Sequence, residues 1–295
     1  MQRPAQGSRR AQDGFILISV LGVMALLAAL VGALSLTVRP AVERARAGGD
    51  DLALQALVRA GVEIAGYQLY GLKLPGGRID GQGVRLDAGL LTLSVTDESG
   101  KVDLNGADPA LLAGVYGAAG LSALSPAVFA ARVADWRDDD DERSAGGAEA
   151  ADYAAAGLAH RPQNEAFRSV DDLQWLLGLQ PAQVAALSPL VTVHNPDGKL
   201  NAMSATRGAL LALPGLAPGV ADRVIAARAR PGEAAADDVS RLLQAQQAFV
   251  KTEPGPSYRV RIEARLRNAR TKTVEAVLTP SQSADALYYV VGWTE

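Results

Sequence analysis

The 295-residue chain contains no cysteine, two histidines and no excess of basic charge. Without cysteine there is neither a disulfide staple nor a thiolate metal site, and the body can belong to a periplasmic or a cytoplasmic protein. The two histidines, His160 and His194, lie far apart in sequence. No nucleophile motif such as Gly-x-Ser-x-Gly accompanies them, so the chain reads as a non-enzyme. The formal net charge is -3, a poor starting point for a nucleic-acid binder, which needs a basic footprint to displace counterions. Charge is also uneven. Residues 104–198 hold 13 acids and five bases, a balance of -8, whereas the stretch from Tyr258 onward is basic.

What is present in excess is one apolar run. Residues 15–38, FILISVLGVMALLAALVGALSLTV, carry no charge. As a helix this run is about 36 Å long, enough to cross a ~30 Å hydrocarbon core with some tilt. Before it, residues 1–14 set Arg3, Arg9 and Arg10 against Asp13 and end in Gly14-Phe15 at the edge of the run. A secretory signal places its small-residue cleavage site after the apolar core, whereas prepilin-type leaders are cut before it. Taken alone, the segment admits four readings: a prepilin-like leader, an uncleaved anchor, a secretory signal cut after Ala33, or a buried core helix. Arg39, Arg44 and Arg46 follow the run as three arginines precede it, so the positive-inside rule gives a tie on orientation.

Beyond the run a helix continues, with Leu54, Leu57, Val58, Gly61, Ile64, Ala65 and Leu69 on one face and Arg59 and Glu63 away from it. Gly48-Gly49-Asp50-Asp51 is a predicted break. Short strands are expected over 83–86 and 91–96. Helix starts follow at Asp108-Pro109, Ser125-Pro126, Ser169 with Asp172 three positions on, and Ser204. Alternation returns in Tyr258–Leu266, with neighbours at 274–278 and 287–293. Strands thus flank a helical block, and the economical architecture is a small antiparallel sheet packed on the N-terminal helix with an all-helical domain inserted between its strands. Gly100-Lys101-Val102-Asp103 and Gly198-Lys199-Leu200-Asn201 mark a faint internal repeat.

Two constellations carry chemistry. The run Asp135-Trp136-Arg137-Asp138-Asp139-Asp140-Asp141-Glu142, followed by Glu149 and Asp152, clusters carboxylates without histidine or cysteine, which favours a hard cation held by oxygen. Asp138, Asp140, Glu142 and Glu149 fall at positions 1, 3, 5 and 12 of an EF-hand count, but Arg143 stands where that loop needs glycine. The bland alternative is a solvated acidic loop. Second, the stretches around Gly178-Leu179-Gln180 and Gly215-Leu216-Ala217 resemble helix-hairpin-helix turns that offer N–H groups to phosphate. Gln180 and Ala217 replace the second glycine, and 199–250 carries only +2, which favours plain helix packing. Trp136 and Trp175 read as core.

In their order along the chain, the leader and apolar helix, Arg59-Ala60-Gly61-Val62-Glu63, Asp97-Glu98-Ser99-Gly100-Lys101, Asp103-Leu104-Asn105, Asp135-Trp136-Arg137-Asp138-x-Asp140, Gly147-Ala148-Glu149 with Tyr153, Asn164-x-x-Phe167 and Lys199-Leu200-Asn201 resemble the protein K minor pseudopilins of type II secretion systems. The resemblance implies an α+β fold. A pilin-like transmembrane helix packs on a small antiparallel sheet, and a large all-α domain of two SAM-like or helix-hairpin-helix-like units is inserted between strands. The expected divisions are a leader at 1–14, the transmembrane part at 15–38, pilin-like helix and first strands at 39–103, inserted domain at 104–250 (units about 104–198 and 199–250), and closing strands at 251–295. It further implies cleavage after Gly14 by prepilin peptidase, methylation of Phe15, and a single-pass inner-membrane protein with a periplasmic body. The expected place is the pseudopilus tip beside minor pseudopilins I and J and the other pseudopilins, priming assembly for export across the outer membrane, with no nucleic acid bound. Calcium is the expected ion, with Asp138, Asp140, Glu149 and Asp152 as its ligands and Asp135 beside them. Most pilin-like subunits carry Glu at the fifth mature position; protein K lacks it, and here the position is Ser19. The second Asn of the family's Leu-Asn-x-Asn turn is replaced near Met203. The rivals are a membrane-anchored helix-hairpin-helix DNA receptor and a calcium-stabilised periplasmic module on a plain anchor.

Overall fold

The computed structural model describes residues 9–230 and 234–295. Helix α1 runs unbroken over Arg9–Gly66, 58 residues or about 87 Å, and closes in one π-helical turn at Tyr67–Gly71. The break expected at Gly48-Gly49-Asp50-Asp51 does not occur. Asp50 ties the helix to a distant turn instead, with its carboxylate 3.2 Å from Arg270 and 2.9 Å from the Asn268 amide. In α1, side chains are described for 17–33 and from Ala47 onward. Those of 17–33 are exposed, which removes the reading of this stretch as a buried core helix. Among the described residues no helix is long and apolar enough to cross a membrane. The 15–38 run lies partly outside the described residues, and so do the leader 1–8 and the side chains of Gly14 and Phe15.

After α2 (Gly76–Ile79) come β1 (Gln82–Leu86) and β2 (Gly89–Asp97). The chain then leaves the sheet through β3 (Val102–Asp103), α3 (Pro109–Ala118), α4 (Pro126–Arg137), α5 (Ala150–Ala155), a 3-10 turn at Val170–Trp175, α6 (Pro181–Leu187) and β4 (Val191–Thr192). It continues through β5 (Leu200–Asn201), α7 (Arg207–Leu210), α8 (Pro218–Arg228), α9 (Ala234–Leu242) and β6 (Val250–Lys251), and returns as β7 (Tyr258–Leu266), β8 (Thr271–Pro280) and β9 (Tyr288–Thr294). The main sheet has the order β1-β2-β7-β8-β9, antiparallel throughout. Strands β2 and β7 are direct neighbours from Gly89↔Leu266 to Asp97↔Tyr258, so residues 98–257 loop out between two adjacent strands.

The alternation in β7 explains the packing. Val260, Ile262, Ala264 and Leu266 are buried while Arg261, Glu263 and Arg265 are exposed. The buried set meets Leu54, Leu57, Val58, Val62 and Ala65 of α1. Ile64 is only half-buried; Val62 takes the inner position. A second core fills the helical region around Leu112, Val115, Tyr116, Phe129, Trp136 and Leu210. Trp136 stacks on Phe167 at 5.6 Å, but Trp175, expected in a core, is 44% exposed.

The two Gly-Lys turns are structurally alike. Each opens a two-residue strand that pairs in parallel with the strand ending its own helical stretch, β3 with β4 and β5 with β6. Asp103 and Asn201 then accept the N–H two residues on, from Asn105 at 2.8 Å and Met203 at 2.9 Å. Asp108 and Ser125 cap α3 and α4 as their sequences predict. Ser169 and Asp172 form a capping box, but on the 3-10 turn rather than an α-helix. The helix expected from Ser204 starts at Arg207, because Thr206 is the cap, accepting the Ala209 N–H at 3.1 Å. Ser204 is held against Gly100, where a Cβ would meet Ser204 Oγ at 2.8 Å.

Candidate functional site: an acidic loop and a buried polar junction

The acidic loop hangs from the end of α4. Asp135 is fully buried in the last turn and accepts both the Ser144 hydroxyl and its N–H. Gly147 is obligatory here: a Cβ would fall 1.9 Å from Asp135 Oδ2. Arg137 holds the loop's base by donating to Leu104 O at 2.5 Å. Asp138 terminates α4, Asp140 accepts the Glu142 N–H at 2.8 Å, and Asn164 donates to Asp140 O at 2.6 Å and Asp141 at 3.2 Å.

Glu149 begins α5 and is 5% exposed. Both of its carboxylate oxygens, and Oδ1 of Asp138, are buried without a hydrogen-bond partner. Buried unpaired carboxylate oxygens are costly. Burial first, then the charges of Asp135, Asp138, Asp141 and Asp140, pushes the Glu149 carboxyl up to about 7. Burial and then Asp140 and Asp135 raise Asp138 as well. Asp152 is engaged elsewhere: it accepts the Glu149 N–H at 2.9 Å and pairs with Arg143 at 2.9 Å, and these hold its carboxyl below the ordinary range. Of the four expected ligands, Asp138 and Glu149 are therefore left with unanswered oxygens, while Asp140 and Asp152 are committed to the loop's own scaffold. Among the described residues no group of three or more histidine, aspartate or glutamate side chains is drawn together as a ready metal site. The orphaned oxygens and the mutual repulsion fit an oxygen-bound cation better than a bare loop.

The second feature lies where the chain leaves and rejoins the sheet. Asp97 accepts Ser99 N–H and Oγ at 2.8 and 2.6 Å through one oxygen, and the Asn201 amide at 2.8 Å and Gly255 N–H at 3.1 Å through the other. Glu98, with no exposed surface, meets Lys101 at 2.9 Å, Arg259 at 2.7 Å and the Thr192 hydroxyl. Burial opposes its charge, but Lys101 first and then Arg259 and Thr192 outweigh that and bring the carboxyl down to about 2. One junction therefore joins both helical units, through Thr192 and Asn201, to the outgoing and returning strands. Asn105 closes the first unit by exchanging two hydrogen bonds with the Phe167 backbone, at 2.9 and 2.8 Å. Thr192 and the role of Arg259 were not visible in sequence, because their partners lie 94 and 161 residues away. His160 and His194 are separated: His160 bonds Trp175 O at 3.1 Å, and His194 lies near Glu98, with burial lowering its pKa.

A chain of the crystal structure of the GspK-GspI-GspJ complex from the enterotoxigenic Escherichia coli Type 2 Secretion System superposes with a TM-score of 0.62, covering 85% of this chain and 98% of that one at 13% identity. At that identity the likeness is one of fold, a mixed helix-and-sheet chain built on an antiparallel sheet. The sequence match is narrower and more specific. Residues 94–197 match the model of the family described as Type II secretion system (T2SS), protein K, and the type II secretion system protein K of Pseudomonas aeruginosa is 34% identical over 113 residues. That match spans 38% of this chain and about a third of the relative's length, 34%. Over residues 94–197 the chain is therefore similar to the type II secretion system protein K family.

Proposed function

We propose that the chain is a minor pseudopilin at the tip of a type II secretion pseudopilus, a structural rather than a catalytic subunit that primes filament assembly and export. The observation that carries this reading is the protein K domain lodged between β2 and β7 of a sheet that packs on a single long helix. On this reading residues 15–38 hold the precursor in the inner membrane with the body in the periplasm. Prepilin peptidase cuts after Gly14 and Phe15 is methylated. The partners are minor pseudopilins I and J, named in the complex that shares the fold, and Ser19 in place of the usual Glu suits a subunit with nothing stacked above it. The acidic loop holds calcium through Asp138 and Glu149 with Asp140 beside them, and Asp152 and Asp135 brace the loop. The ion would neutralise the repulsion among these carboxylates and lock the α4–α5 connection.

Mass analysis of the N-terminal peptide from membrane-extracted protein tests this directly. The expected species begins at N-methylated Phe15; a chain beginning at Met1, or after Ala33, would end the pseudopilin reading. The DNA-receptor reading requires duplex retardation with a steep salt slope, and the family match does not support it.

A further inference from the structure

The β1–β2 and β7–β8 turns meet at one end of the main sheet, where Gly89 lies opposite Leu266. Residues 98–257 leave from the other end, at Asp97 and Tyr258. At the turn end a cleft of about 480 Å³ is lined by Arg85, Arg265 and Arg267, with only uncharged residues between them. Arg85 is opposite Leu90, and Leu90 is opposite Arg265. The two arginines thus stand two strands apart, about 10 Å, on the face of the sheet turned away from α1, since their neighbours Ala264 and Leu266 pack toward that helix. Arg267 closes the cleft from the β7–β8 turn.

All three arginines are exposed, and among the described residues none of them is ion-paired. The acids around them are engaged. Glu263 lies 3.6 Å from Arg261, Glu275 lies 3.5 Å from both Arg259 and Arg261, and Asp50 is held by Arg270 at 3.2 Å. Asp87, in the β1–β2 turn, does not line the cleft. The clefts beside α1 and beside the helical insert carry both signs of charge, whereas this one is wholly cationic and selects an anion. Guanidinium forks match the oxygens of a phosphate group. Half-buried Leu86 and Leu90 in the lining favour a phosphate ester that carries carbon over free phosphate.

This end of the sheet is also the one nearest the apolar run. Arg270 reaches Ala47 O and Asp50 Oδ2 at 3.2 Å each, which sets the β7–β8 turn beside residues 47–50 of α1. Val38, the last residue of the charge-free run, precedes Ala47 by about 14 Å of helix. Headgroups extend ~5–7 Å beyond the hydrocarbon core, so the remaining gap is comparable to one Debye length. A helix tilt of about 20° toward the sheet, ordinary for a membrane span, narrows it. Between Val38 and Ala47 the sequence sets Arg39, Arg44 and Arg46 against Glu43 alone.

We propose that the Arg85–Arg265–Arg267 cleft binds the phosphate of an anionic phospholipid headgroup at the surface of the membrane that α1 enters. The proposal rests on the reading of residues 15–38 as a membrane span. A zwitterionic headgroup is disfavoured, because its ammonium group would face the same three cations.

The test uses the full chain purified in a neutral detergent, with bound lipid counted by native mass spectrometry. The probes are dioctanoyl-phosphatidylglycerol, dioctanoyl-phosphatidylcholine and inorganic phosphate. Wild-type chain is expected to prefer the glycerol lipid over the choline lipid by about tenfold. Arg265→Gln with Arg267→Gln should abolish that preference at an unchanged melting temperature, while Arg261→Gln, on the same strand but paired with Glu263, should keep it. A preference that survives the double variant overturns the site, as does a wild-type chain with no preference; both leave the pseudopilin reading standing. Displacement of the lipid by an equal concentration of inorganic phosphate overturns the lipid assignment in favour of a free anion. Wild-type chain recovered from cells without detergent, still beginning at Met1, overturns the membrane reading and the site together.

Discussion

Glu98 is fully buried and makes three polar contacts, and its charge is maintained by Lys101 and Arg259 against burial. A carboxyl moved from 4.5 to about 2 is worth on the order of 3 kcal/mol. Because the folded pKa is depressed, that stability is present above about 4.5 and is lost as pH falls toward 2. Glu98→Gln should therefore cost about 3 kcal/mol at pH 7 in urea unfolding, and much less at pH 3. An equal cost at both pH values would mean that shape, not charge, is what Glu98 supplies. At this scale the acidic loop was legible because its residues are neighbours in sequence. The Asp97–Glu98 junction was not, because a carboxylate's partners across a fold leave no local mark.

Among elements, α1 offers a matched pair of glycines. A Cβ at Gly48 would meet nothing within 4 Å, whereas one at Gly66 would lie 2.2 Å from the Tyr288 ring. Helix propensity alone favours alanine over glycine by about 1 kcal/mol. Gly48→Ala is expected to stabilise the protein by roughly that amount. Gly66→Ala is expected to destabilise it, since Tyr288 must leave its bond to Glu63 at 3.0 Å; thermal melts of the two variants should shift in opposite directions. Gly48, with Gly49 beside it, also shows why the predicted break failed. Propensity reports a local cost, and the packing of Leu54, Leu57 and Val58 on the sheet, with Asp50 tied to Arg270, exceeds it. Strands Tyr258–Leu266 and Gly89–Asp97 were readable from alternation, and α3 and α4 from cap plus proline, because those signals are local. The two-residue bridges β3–β4 and β5–β6 were hidden, since parallel pairing between distant segments leaves no period in so few residues.

For the whole molecule, a cation bound only by the folded chain adds stability by mass action. At ~100 times its Kd, calcium should raise the melting temperature by about 5–10 °C. EDTA should reverse the rise and Glu149→Ala abolish it, while Asp152→Asn, which alters a residue already paired with Arg143, should weaken the loop without removing the response. An unchanged melting point in EDTA would count against the ion. The placement of residues 98–257 also has a mechanical side. Both connections of the insert leave the sheet at one end of two adjacent strands, β2 and β7, with β1 and β8 on their flanks. A push or pull on the insert is therefore delivered along the axes of those strands. Ladder bonds run across that direction, so the load is carried in shear by many rungs at once rather than peeled one rung at a time. The molecule is braced like a handle let into the middle of a plank, stiff along the direction of β2 and β7.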